Sequence, residues 1–330
     1  MKKWMKFVLV IAVISVIFVA GCKDDTTDPE ISGVEILTTY LDANGMTITD
    51  LTTDWITAAS GIVDNLDDYY IMDIRTGDYH GATVLDDPDD IVDYDNGHIE
   101  GAVLSSLGSI VTDAAQADNP IVVVCYTGQS AGHAVMALRL SGYSNAMVLK
   151  WGMSGWNSDF DVWSGNTAQL NHENWEAAPG AIADAEVFDY PEIDTDLEDG
   201  AGILAERVVY MLGEGFKSVA ALDGDTTIGV LDNPGDFFIN NYWAADDVVT
   251  YGNIDTAYRI NPLVLENLDP DGTVVTYCWT GQTSSLVTAY LTVLGYDAKS
   301  LKYGVNSIIY DDLTDNNWVE SMDYTYETGE

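Results

Sequence analysis

Short, nearly continuous apolar runs recur along this chain, and stretches with a helical spacing of apolar positions separate them. Such runs lie at residues 69–74, 121–125 and 146–149. Runs of this length and composition are typical of parallel strands that are buried on both faces of a sheet. Residues 129–142 carry the helical spacing directly after the second run. By itself this pattern predicts an α/β fold, with mostly parallel sheets flanked by helices.

The same pattern occurs twice. The sequence VVVCYTGQSAGHA at residues 122–134 returns as VTYCWTGQTSSLV at residues 275–287. After each copy, a helical pattern ends at a Gly-Tyr pair, a short strand follows, and a Lys-aromatic-Gly turn closes the unit. Upstream, YDNGHIEGAVL at residues 94–104 has a weaker counterpart, TYGNIDTAYRI, at residues 250–260. Because the separations of the two motif pairs agree within a few residues, we infer a duplicated unit.

This repetition predicts the domain organisation. The chain has 330 residues, which is enough for two ordinary domains with a core each. We expect domains at residues 34–163 and 196–330, joined by an acidic connector at residues 164–195 that is rich in Asp, Ala and Pro.

The N-terminus has the pattern of a targeting signal. Residues 1–22 contain a basic segment, an apolar stretch too short for a comfortable membrane span, and the sequence VAGC. This arrangement resembles a bacterial lipoprotein signal peptide with its lipobox, in which the cysteine, here Cys22, is acylated and becomes the first mature residue. An ordinary signal peptide with an incidental Cys22 is the alternative. Residues 23–33 are polar, as expected of a tether. The resemblance implies a lipid anchor in the bacterial cell envelope, outside the cytoplasmic membrane, on a periplasmic or extracellular face.

Composition narrows the possible partners. The hydrophobic content of 47% excludes a disordered protein. The formal charge of −42 argues against nucleic acid and against an anionic membrane surface, because binding to phosphates needs clustered Lys and Arg. The expected contact with a membrane is therefore the N-terminal lipid anchor alone.

The candidate chemistry centres on Cys125 and Cys278, each at the carboxyl end of a predicted strand and just before a predicted helix. Sites in open α/β sheets lie at this edge. A loop curled around the sulfur directs backbone N–H groups and the positive end of the helix dipole at it, so the thiolate is favoured over the thiol. The residues expected to form this cradle for an anion are Tyr126, Thr127, Gly128, Gln129 and Ser130 in the first copy and Trp279, Thr280, Gly281, Gln282 and Thr283 in the second.

Both loops resemble the active-site loop of the rhodanese family of sulfurtransferases, and the chain looks like a tandem rhodanese. The first copy also carries the family's Asp-x-Arg strand end at Asp73 and Arg75, its Gly-His-Ile-x-Gly-Ala element at residues 97–102, and a closing Gly-x-x-x-Trp at residues 152–156. In the second copy, FFINNYW and GNIDTAY stand where the first two motifs belong. The resemblance implies two rhodanese-like domains, of which the second is partly degenerate.

The resemblance also implies a double displacement. The thiolate of Cys125 or Cys278 attacks the outer sulfur of a thiosulfate, polysulfide or persulfide donor, and a thiol, cyanide or protein acceptor then takes that sulfur from the cysteine persulfide. No metal or cofactor is implied. Because the loops are uncharged and the chain is acidic, a polysulfide, a persulfidated thiol or a partner protein suits this chain better than thiosulfate. The alternative is a module that carries sulfur or docks a partner without turnover.

Other interpretations of the cysteines stay open. A phosphatase of related fold would need an arginine that closes the loop, and Ala131 and Ser284 stand there instead. The cysteines are alternatively small buried hydrophobic residues, or partners in a disulfide. Two acidic stretches, at residues 86–97 and 267–272, are interpreted as a solvated loop and as a turn before a strand, with calcium binding as the alternative.

The remaining polar and aromatic side chains have structural interpretations. Asp73 and Arg75 are expected to form an ion pair beside the site. His98 is expected to fasten a turn, and His133 to be an exposed helix residue. The aromatic residues that follow the two cysteines either wall a pocket or pack on a neighbouring loop.

Overall fold

The computed structural model describes residues 32–75, 93–177, 182, 184–224 and 228–329. The predicted signal peptide with Cys22, most of the tether and most of the acidic run at 86–97 lie outside the described residues. From Ser32 onward the chain forms one unit by its internal contacts.

The first sheet contains five parallel strands in the order β1-β5-β4-β2-β3. All four residues of the central strand β4 are buried, as the continuous apolar run predicted. The strands are β1 (Ile56–Thr57), β2 (Tyr70–Asp73), β3 (Val103–Leu104), β4 (Ile121–Val124) and β5 (Met147–Leu149). The helices of this half are α1 (Gly33–Ala43), α2 (Ile48–Leu51), α3 (Ala59–Ile62), α4 (Asp93–Asn96), α5 (Ile110–Asp113), α6 (Gln129–Leu140) and α7 (Gly152–Trp156).

The second sheet repeats this arrangement with the parallel strand order β7-β12-β11-β8-β10. An antiparallel pair, β6 and β9, lies outside it. The strands are β6 (Trp175–Glu176), β7 (Ser218–Val219), β8 (Phe238–Asn241), β9 (Asn253–Ile254), β10 (Tyr258–Arg259), β11 (Val274–Tyr277) and β12 (Ala298–Leu301), and the helices are α8 (Gly200–Glu214), α9 (Ala245–Tyr251) and α10 (Gln282–Val293).

Short 3-10 turns connect these elements. They lie at Leu66–Asp68, Ala114–Gln116, Ser158–Phe160, Pro234–Asp236, Leu265–Asn267, Gly304–Ser307 and Tyr310–Asp312. The predicted fold class is confirmed, since both halves are parallel sheets flanked by helices. In each half the central strand is followed directly by a cysteine loop and a long helix.

One hydrophobic core joins the two halves. It contains Leu37 of α1, Val135 of α6, Met211 of α8 and Leu286 of α10, all fully buried. Helices α6 and α10 pack against each other closely, so that a Cβ on Gly132 would lie 3.0 Å from the Gln282 carbonyl oxygen. The division into domains at residues 34–163 and 196–330 stays a prediction, and the two sheets share the apolar layer formed by these helices.

The C-terminal segment returns to the first half of the chain. The backbone N–H of His98 donates to the Glu327 carbonyl at 2.9 Å, and the Glu327 N–H donates back at 2.9 Å. The His98 ring stacks on Tyr94 with ring centroids 3.8 Å apart. The indole N–H of Trp156 donates to the Thr325 carbonyl at 2.8 Å. His98 therefore fastens the C-terminal segment to the first half as well as its own turn.

The expectation that His133 is exposed is wrong. The residue is 1% exposed, because helix α6 is covered on several sides and eleven of its twelve residues are buried. Its Nε2 lies 3.3 Å from the Met211 carbonyl oxygen on α8, and its ring meets Phe216 edge-on. Apolar spacing alone did not indicate that a second layer of helices covers this face.

Acidification is expected to destabilise the fold through His133. Burial lowers the pKa of His133 to about 4, whereas a histidine in an unfolded chain titrates near 6.5. Between these values the unfolded state binds more protons than the folded state, so the free energy of unfolding falls as the pH falls. The contribution of His133 is complete above about pH 6.5, and about 3 kcal/mol of stability is lost on reaching pH 4. Urea titrations at several pH values measure this loss.

The second half of the chain supplies a matched control for that prediction. The position corresponding to His133 is Leu286, which is fully buried. His133→Leu is expected to remove this part of the pH dependence while the variant still unfolds cooperatively at neutral pH. The difference between the two proteins isolates His133 from the many carboxylates that titrate in the same window. Equal slopes for wild type and variant between pH 4 and 6.5 would contradict the prediction.

Candidate functional site

The first cysteine loop places backbone N–H groups around a sulfur atom. Cys125 follows β4 directly, and its Sγ accepts hydrogen bonds from the N–H of Gly128 at 3.1 Å and from that of Ala131 at 3.4 Å. Gly128 has a φ of 80°, which favours glycine. Helix α6 begins at the next residue, so the positive end of its dipole lies at the loop. The sulfur of Cys125, a residue 2% exposed, is therefore held in a buried cradle of N–H donors.

The second cysteine loop folds in a similar way. Cys278 follows β11, and its Sγ accepts a hydrogen bond from the N–H of Ser284 at 3.3 Å. Gly281 has a φ of 76° and precedes α10. The Cys278 thiol also lies 3.5 Å from the Ser284 hydroxyl oxygen. The second loop therefore differs from the first by a hydroxyl group beside the sulfur.

The structure gives the predicted hydroxyl residues of the loops two different positions. The side-chain oxygens of Thr127 and Thr280 accept the N–H groups of Gln129 and Gln282, at 3.3 and 3.2 Å, and so satisfy donors at the start of each helix. Ser130 and Thr283 are half-buried. Among the described residues, the hydrogen-bond partners of the two sulfurs come from the backbone and from Ser284, a residue that the sequence analysis did not include in the cradle.

The ion pair expected between Asp73 and Arg75 is present and buried. Arg75 Nη2 lies 2.6 Å from Asp73 Oδ2, and Arg75 Nε lies 3.0 Å from Oδ1. Nη2 also donates to the Gly97 carbonyl at 2.5 Å. The guanidinium carbon is 5.1 Å from the centre of the Tyr126 ring and 5.1 Å from that of Phe160. The pair therefore supports the loop through the residue that follows Cys125.

A neutral set of side chains replaces this ion pair in the second half. Sheet register places Asn241 opposite Tyr277, as Asp73 is placed opposite Val124. Asn241 Oδ1 accepts the N–H of Trp243 at 3.0 Å, which matches the 3.0 Å contact from the Arg75 N–H to Asp73 Oδ1.

Aromatic packing and amide hydrogen bonds complete that replacement. Trp243 packs on Trp279 with ring centroids 4.5 Å apart, where Arg75 lies over Tyr126 in the first half. The amide group of Asn241 donates to Asn253 at 2.9 Å, and the Tyr277 hydroxyl donates to the same oxygen at 2.8 Å. The second loop therefore has a comparable scaffold without the buried charges.

Comparison with known protein families finds a match within the first half of the chain. A family model described as "Rhodanese-like domain" matches residues 60–159. This range includes the Asp73–Arg75 pair, the Cys125 loop and helix α7. Residues 60–159 are therefore similar to a rhodanese-like domain.

The proteins similar to this chain include three sulfurtransferases. Thiosulfate sulfurtransferase GlpE of Shewanella oneidensis is 36% identical over 66 residues, which are 19% of this chain and 65% of that protein. A thiosulfate sulfurtransferase structure from Pseudomonas aeruginosa is 16% identical, with 91% of this chain and 49% of that chain covered and a TM-score of 0.29. The 3-mercaptopyruvate sulfurtransferase of Leishmania major is 13% identical, with 81% and 74% covered and a TM-score of 0.28. The chain thus spans less than two thirds of the first relative and about half of the Pseudomonas structure.

The Cys125 loop contacts a side chain from the second half of the chain. The Gln282 side chain lies against Gly128, whose Cβ, if present, would be 3.0 Å from Gln282 Cδ and 3.1 Å from Oε1. In the opposite direction, Gln129 Oε1 accepts the N–H of Tyr303 at 2.8 Å and lies against Gly281. Each loop therefore contacts a glutamine from the other. The sequence placed both glutamines in cradles but did not show that they cross between the loops.

The Lys-aromatic-Gly turns lie beside the loops that precede them. A Cβ on Gly152 would lie 2.6 Å from the Tyr126 carbonyl carbon, and a Cβ on Gly304 would lie 2.7 Å from the Thr280 nitrogen. The side chains of Trp151 and Tyr303 both contact the Trp163 ring, with centroid distances of 4.8 and 5.0 Å.

Each of these turns also begins with a lysine. Burial lowers the pKa of Lys150, whose Nζ lies 5.2 Å from the Trp151 ring. Lys302 holds the corresponding position in the second half and is half-buried. The repeated turn was visible in the sequence, and it is the signal by which these lysines could have been found.

A cleft of about 540 Å³ adjoins the Cys125 loop at Tyr126. Aromatic rings and carboxylates share its lining, which consists of Asn96, Tyr126, Asp159, Phe160, Asp161, Val162 and Tyr326. Tyr126 therefore walls a pocket, which was one of its two expected roles. Trp279 follows the other expectation for these aromatic residues and packs on Trp243.

The described residues contain no group of three or more His, Cys, Asp or Glu side chains placed to hold a metal ion. Cys125 and Cys278 are free thiols. In the stretch at 267–272, Asp269 Oδ1 accepts the N–H of Asp271 at 2.9 Å just before β11, which is the turn expected there. Within the described ranges, no helix has the length and apolar character needed to cross a membrane.

Proposed function

We propose that this protein is a sulfurtransferase that moves sulfane sulfur from a donor to a thiophilic acceptor through a persulfide on Cys125. The observation that carries this proposal is the position of the Cys125 sulfur within the rhodanese-like domain, with two backbone N–H donors at 3.1 and 3.4 Å. A ring of N–H groups at a helix N-terminus stabilises negative charge on sulfur in the thiolate and in the persulfide.

The proposed reaction has two balanced steps. The Cys125 thiolate attacks the outer sulfur of the donor, a sulfur–sulfur bond forms to Cys125, and the donor's own sulfur–sulfur bond breaks with its electron pair leaving on the remainder. With thiosulfate the remainder is sulfite. The acceptor then attacks the terminal sulfur of the persulfide, and the thiolate returns with the electron pair. With cyanide the product is thiocyanate.

The charge of the chain favours a donor other than thiosulfate. With a formal charge of −42, the protein repels small anions at long range, and the loop residues from Cys125 to Ser130 carry no basic side chain. A polysulfide, a persulfidated thiol or a partner protein is therefore the proposed donor. Saturation of the reaction by thiosulfate at millimolar or lower concentration would contradict this part of the proposal.

Cys278 is proposed as a second sulfur-bearing residue, in a unit duplicated from the first. Its loop keeps a cysteine at the same position, a glycine with positive φ and a backbone N–H donor to the sulfur from the following helix. The second candidate function is a sulfur carrier that does not turn over. The burial of both cysteines, each 2% exposed, favours this candidate, because a buried persulfide is protected from unintended acceptors.

Intact mass measurements test these proposals. The full chain is reduced, exposed briefly to inorganic polysulfide or thiosulfate, and compared with Cys125→Ser and Cys278→Ser. We expect wild type to gain sulfur that cyanide removes, and Cys125→Ser to lose most of this gain. Repeated release of thiocyanate supports the enzyme, and a single release without turnover supports the carrier. No gain of sulfur in wild type, or a loss of two hydrogens that needs both cysteines, would overturn the sulfurtransferase proposal.

A separate peptide measurement tests the proposed lipid anchor. The proposal that Cys22 tethers the protein outside the cytoplasmic membrane rests on the pattern of residues 1–22 alone. An N-terminal peptide that begins at an acylated Cys22 is expected in protein isolated from bacterial membranes. An unmodified peptide that begins at Met1 would contradict the anchor without affecting the sulfur chemistry.

A further inference from the structure

A chain of buried hydroxyl groups ends at the sulfur of Cys278. The Cys278 sulfur lies 3.5 Å from Ser284 Oγ, which lies 2.7 Å from Ser300 Oγ. Ser300 Oγ in turn lies 3.4 Å from the Gly281 carbonyl oxygen. Ser284 and Ser300 are fully buried. The sulfur, two hydroxyls and one carbonyl therefore form a continuous line of possible hydrogen bonds.

The hydrogen bonds along this line of hydroxyl groups can point in either of two directions. With a thiol at Cys278, the S–H donates to Ser284, Ser284 donates to Ser300, and Ser300 donates to the Gly281 carbonyl. With a thiolate, Ser284 turns to donate to the sulfur and Ser300 turns to donate to Ser284. The Gly281 carbonyl keeps a partner in both states, because it also accepts the N–H of Ser285 at 3.0 Å. In both directions every polar group along this line has a hydrogen-bond partner. Neither direction therefore carries the energetic cost of an unpaired buried group.

The first half lacks this chain of hydroxyls. Ala131 stands at the position of Ser284, and its N–H donates to Cys125 as the Ser284 N–H donates to Cys278. Sheet register places Val148 beside Val123 where Ser300 is placed beside Thr276. The side chains of Ala131 and Val148 are fully buried and carry no polar atom. The two hydroxyls are therefore particular to the second cysteine.

We propose that Ser284 and Ser300 are positioning residues for Cys278, forming a reversible hydroxyl relay that stabilises negative charge on its sulfur. In the second half, the relay takes the place of the second backbone donor seen at Cys125. A hydrogen bond to a charged sulfur is stronger than one to a neutral thiol, so the reversed chain favours the thiolate. This inference concerns the reactivity of Cys278, and its importance for sulfur transfer rests on the proposed function.

Site-resolved alkylation tests the relay without any sulfur donor. The full-length chain is treated with iodoacetamide, and the modification of each cysteine is followed by peptide mass spectrometry at pH 7 and at about pH 10, where an ordinary thiol is mostly ionised. We expect Ser284→Ala to slow alkylation of Cys278 by about tenfold at pH 7, and by much less at pH 10. The Cys125 rate in the same molecules is an internal control and should be unchanged.

Two further variants keep the test decisive. Ser300→Val removes the outer hydroxyl and leaves Ser284, and it should give a smaller slowing at pH 7. Ser284→Ala combined with Ser300→Val reproduces the Ala131 and Val148 pair that this fold already accommodates. An unchanged Cys278 rate at pH 7, or an equal slowing at both pH values, would overturn the relay, since equal slowing reports access to the sulfur. Failure of sulfur uptake with these alkylation results intact would instead count against the proposed function.

Discussion

Replacing Arg75 with leucine is expected to lower the free energy of unfolding by about 3–5 kcal/mol. The change leaves the Asp73 carboxylate, which is fully buried, without its charged partner at 2.6 Å. It also removes the donor that reaches the Gly97 carbonyl at 2.5 Å. Leaving the buried Asp73 charge without a partner lowers the free energy of unfolding far more than losing the packing of the Arg75 side chain on Tyr126 and Phe160. Urea unfolding of wild type and variant at neutral pH measures the loss.

The second half provides the compensating substitutions for that test. Asp73→Asn, Arg75→Trp and His98→Asn together install the residue types of Asn241, Trp243 and Asn253, which are linked by hydrogen bonds without any charged group. The triple variant is expected to recover at least about half of the stability lost in Arg75→Leu, because it removes the buried charge instead of stranding it. A triple variant less stable than Arg75→Leu would show that the ion pair is needed for more than charge balance.

Sequence reasoning predicted the strands and helices near the site because their signals are local. The run at 121–125 is apolar on both faces, and β4 is buried along its whole length. Helix α6 begins at the residue after Gly128, where the helical spacing starts. The ion pair of Asp73 and Arg75 was predicted from a short motif, and its two members are separated by one residue.

The contacts that the sequence did not reveal join distant parts of the chain. The correspondence between Trp243 and Arg75 becomes visible only when the register of β8 against β11 is known. Gln282 reaches Gly128 because α6 and α10 pack together, and no local pattern encodes that packing. His133 was misjudged for the same reason, since the face it occupies is covered by α8. Layer packing sets these contacts, and periodicity within one element does not report it.

The comparison of the two halves separates the backbone of the loop from its electrostatic surroundings. Both cysteines accept an N–H from the same helical position, at 3.4 Å for Ala131 and 3.3 Å for Ser284. Around this shared backbone, the first loop rests on a buried ion pair and the second has buried hydroxyls. The cradle therefore tolerates different neighbours, provided that the turn beside it allows the loop backbone to approach closely.

Gly152→Ala is expected to displace the Cys125 loop and to lower the free energy of unfolding by about 2–4 kcal/mol. Gly152 has a φ of 60°, which costs any residue with a side chain about 1 kcal/mol. Its added Cβ would also lie 2.6 Å from the Tyr126 carbonyl carbon and 2.7 Å from the Thr127 nitrogen. These are backbone atoms of the cradle, so relief of the clash has to move the loop. Urea unfolding and the alkylation rate of each cysteine measure the two effects.

Two other glycines separate backbone strain from the clash with the loop. Gly101 has a φ of 74° and no atom within 4 Å of an added Cβ, so Gly101→Ala should cost only about 1 kcal/mol and leave both cysteines unchanged. Gly304 lies against the second loop, with the Thr280 and Gly281 nitrogens each 2.7 Å from an added Cβ, so Gly304→Ala should alter Cys278 and not Cys125. The prediction is contradicted if Gly152→Ala and Gly101→Ala lower the free energy of unfolding equally. It is also contradicted if Gly152→Ala changes the alkylation rates of both cysteines equally, because the turn would then not position its own loop. The selective outcome would show that each sulfur is positioned by the turn that follows the next strand of its own sheet.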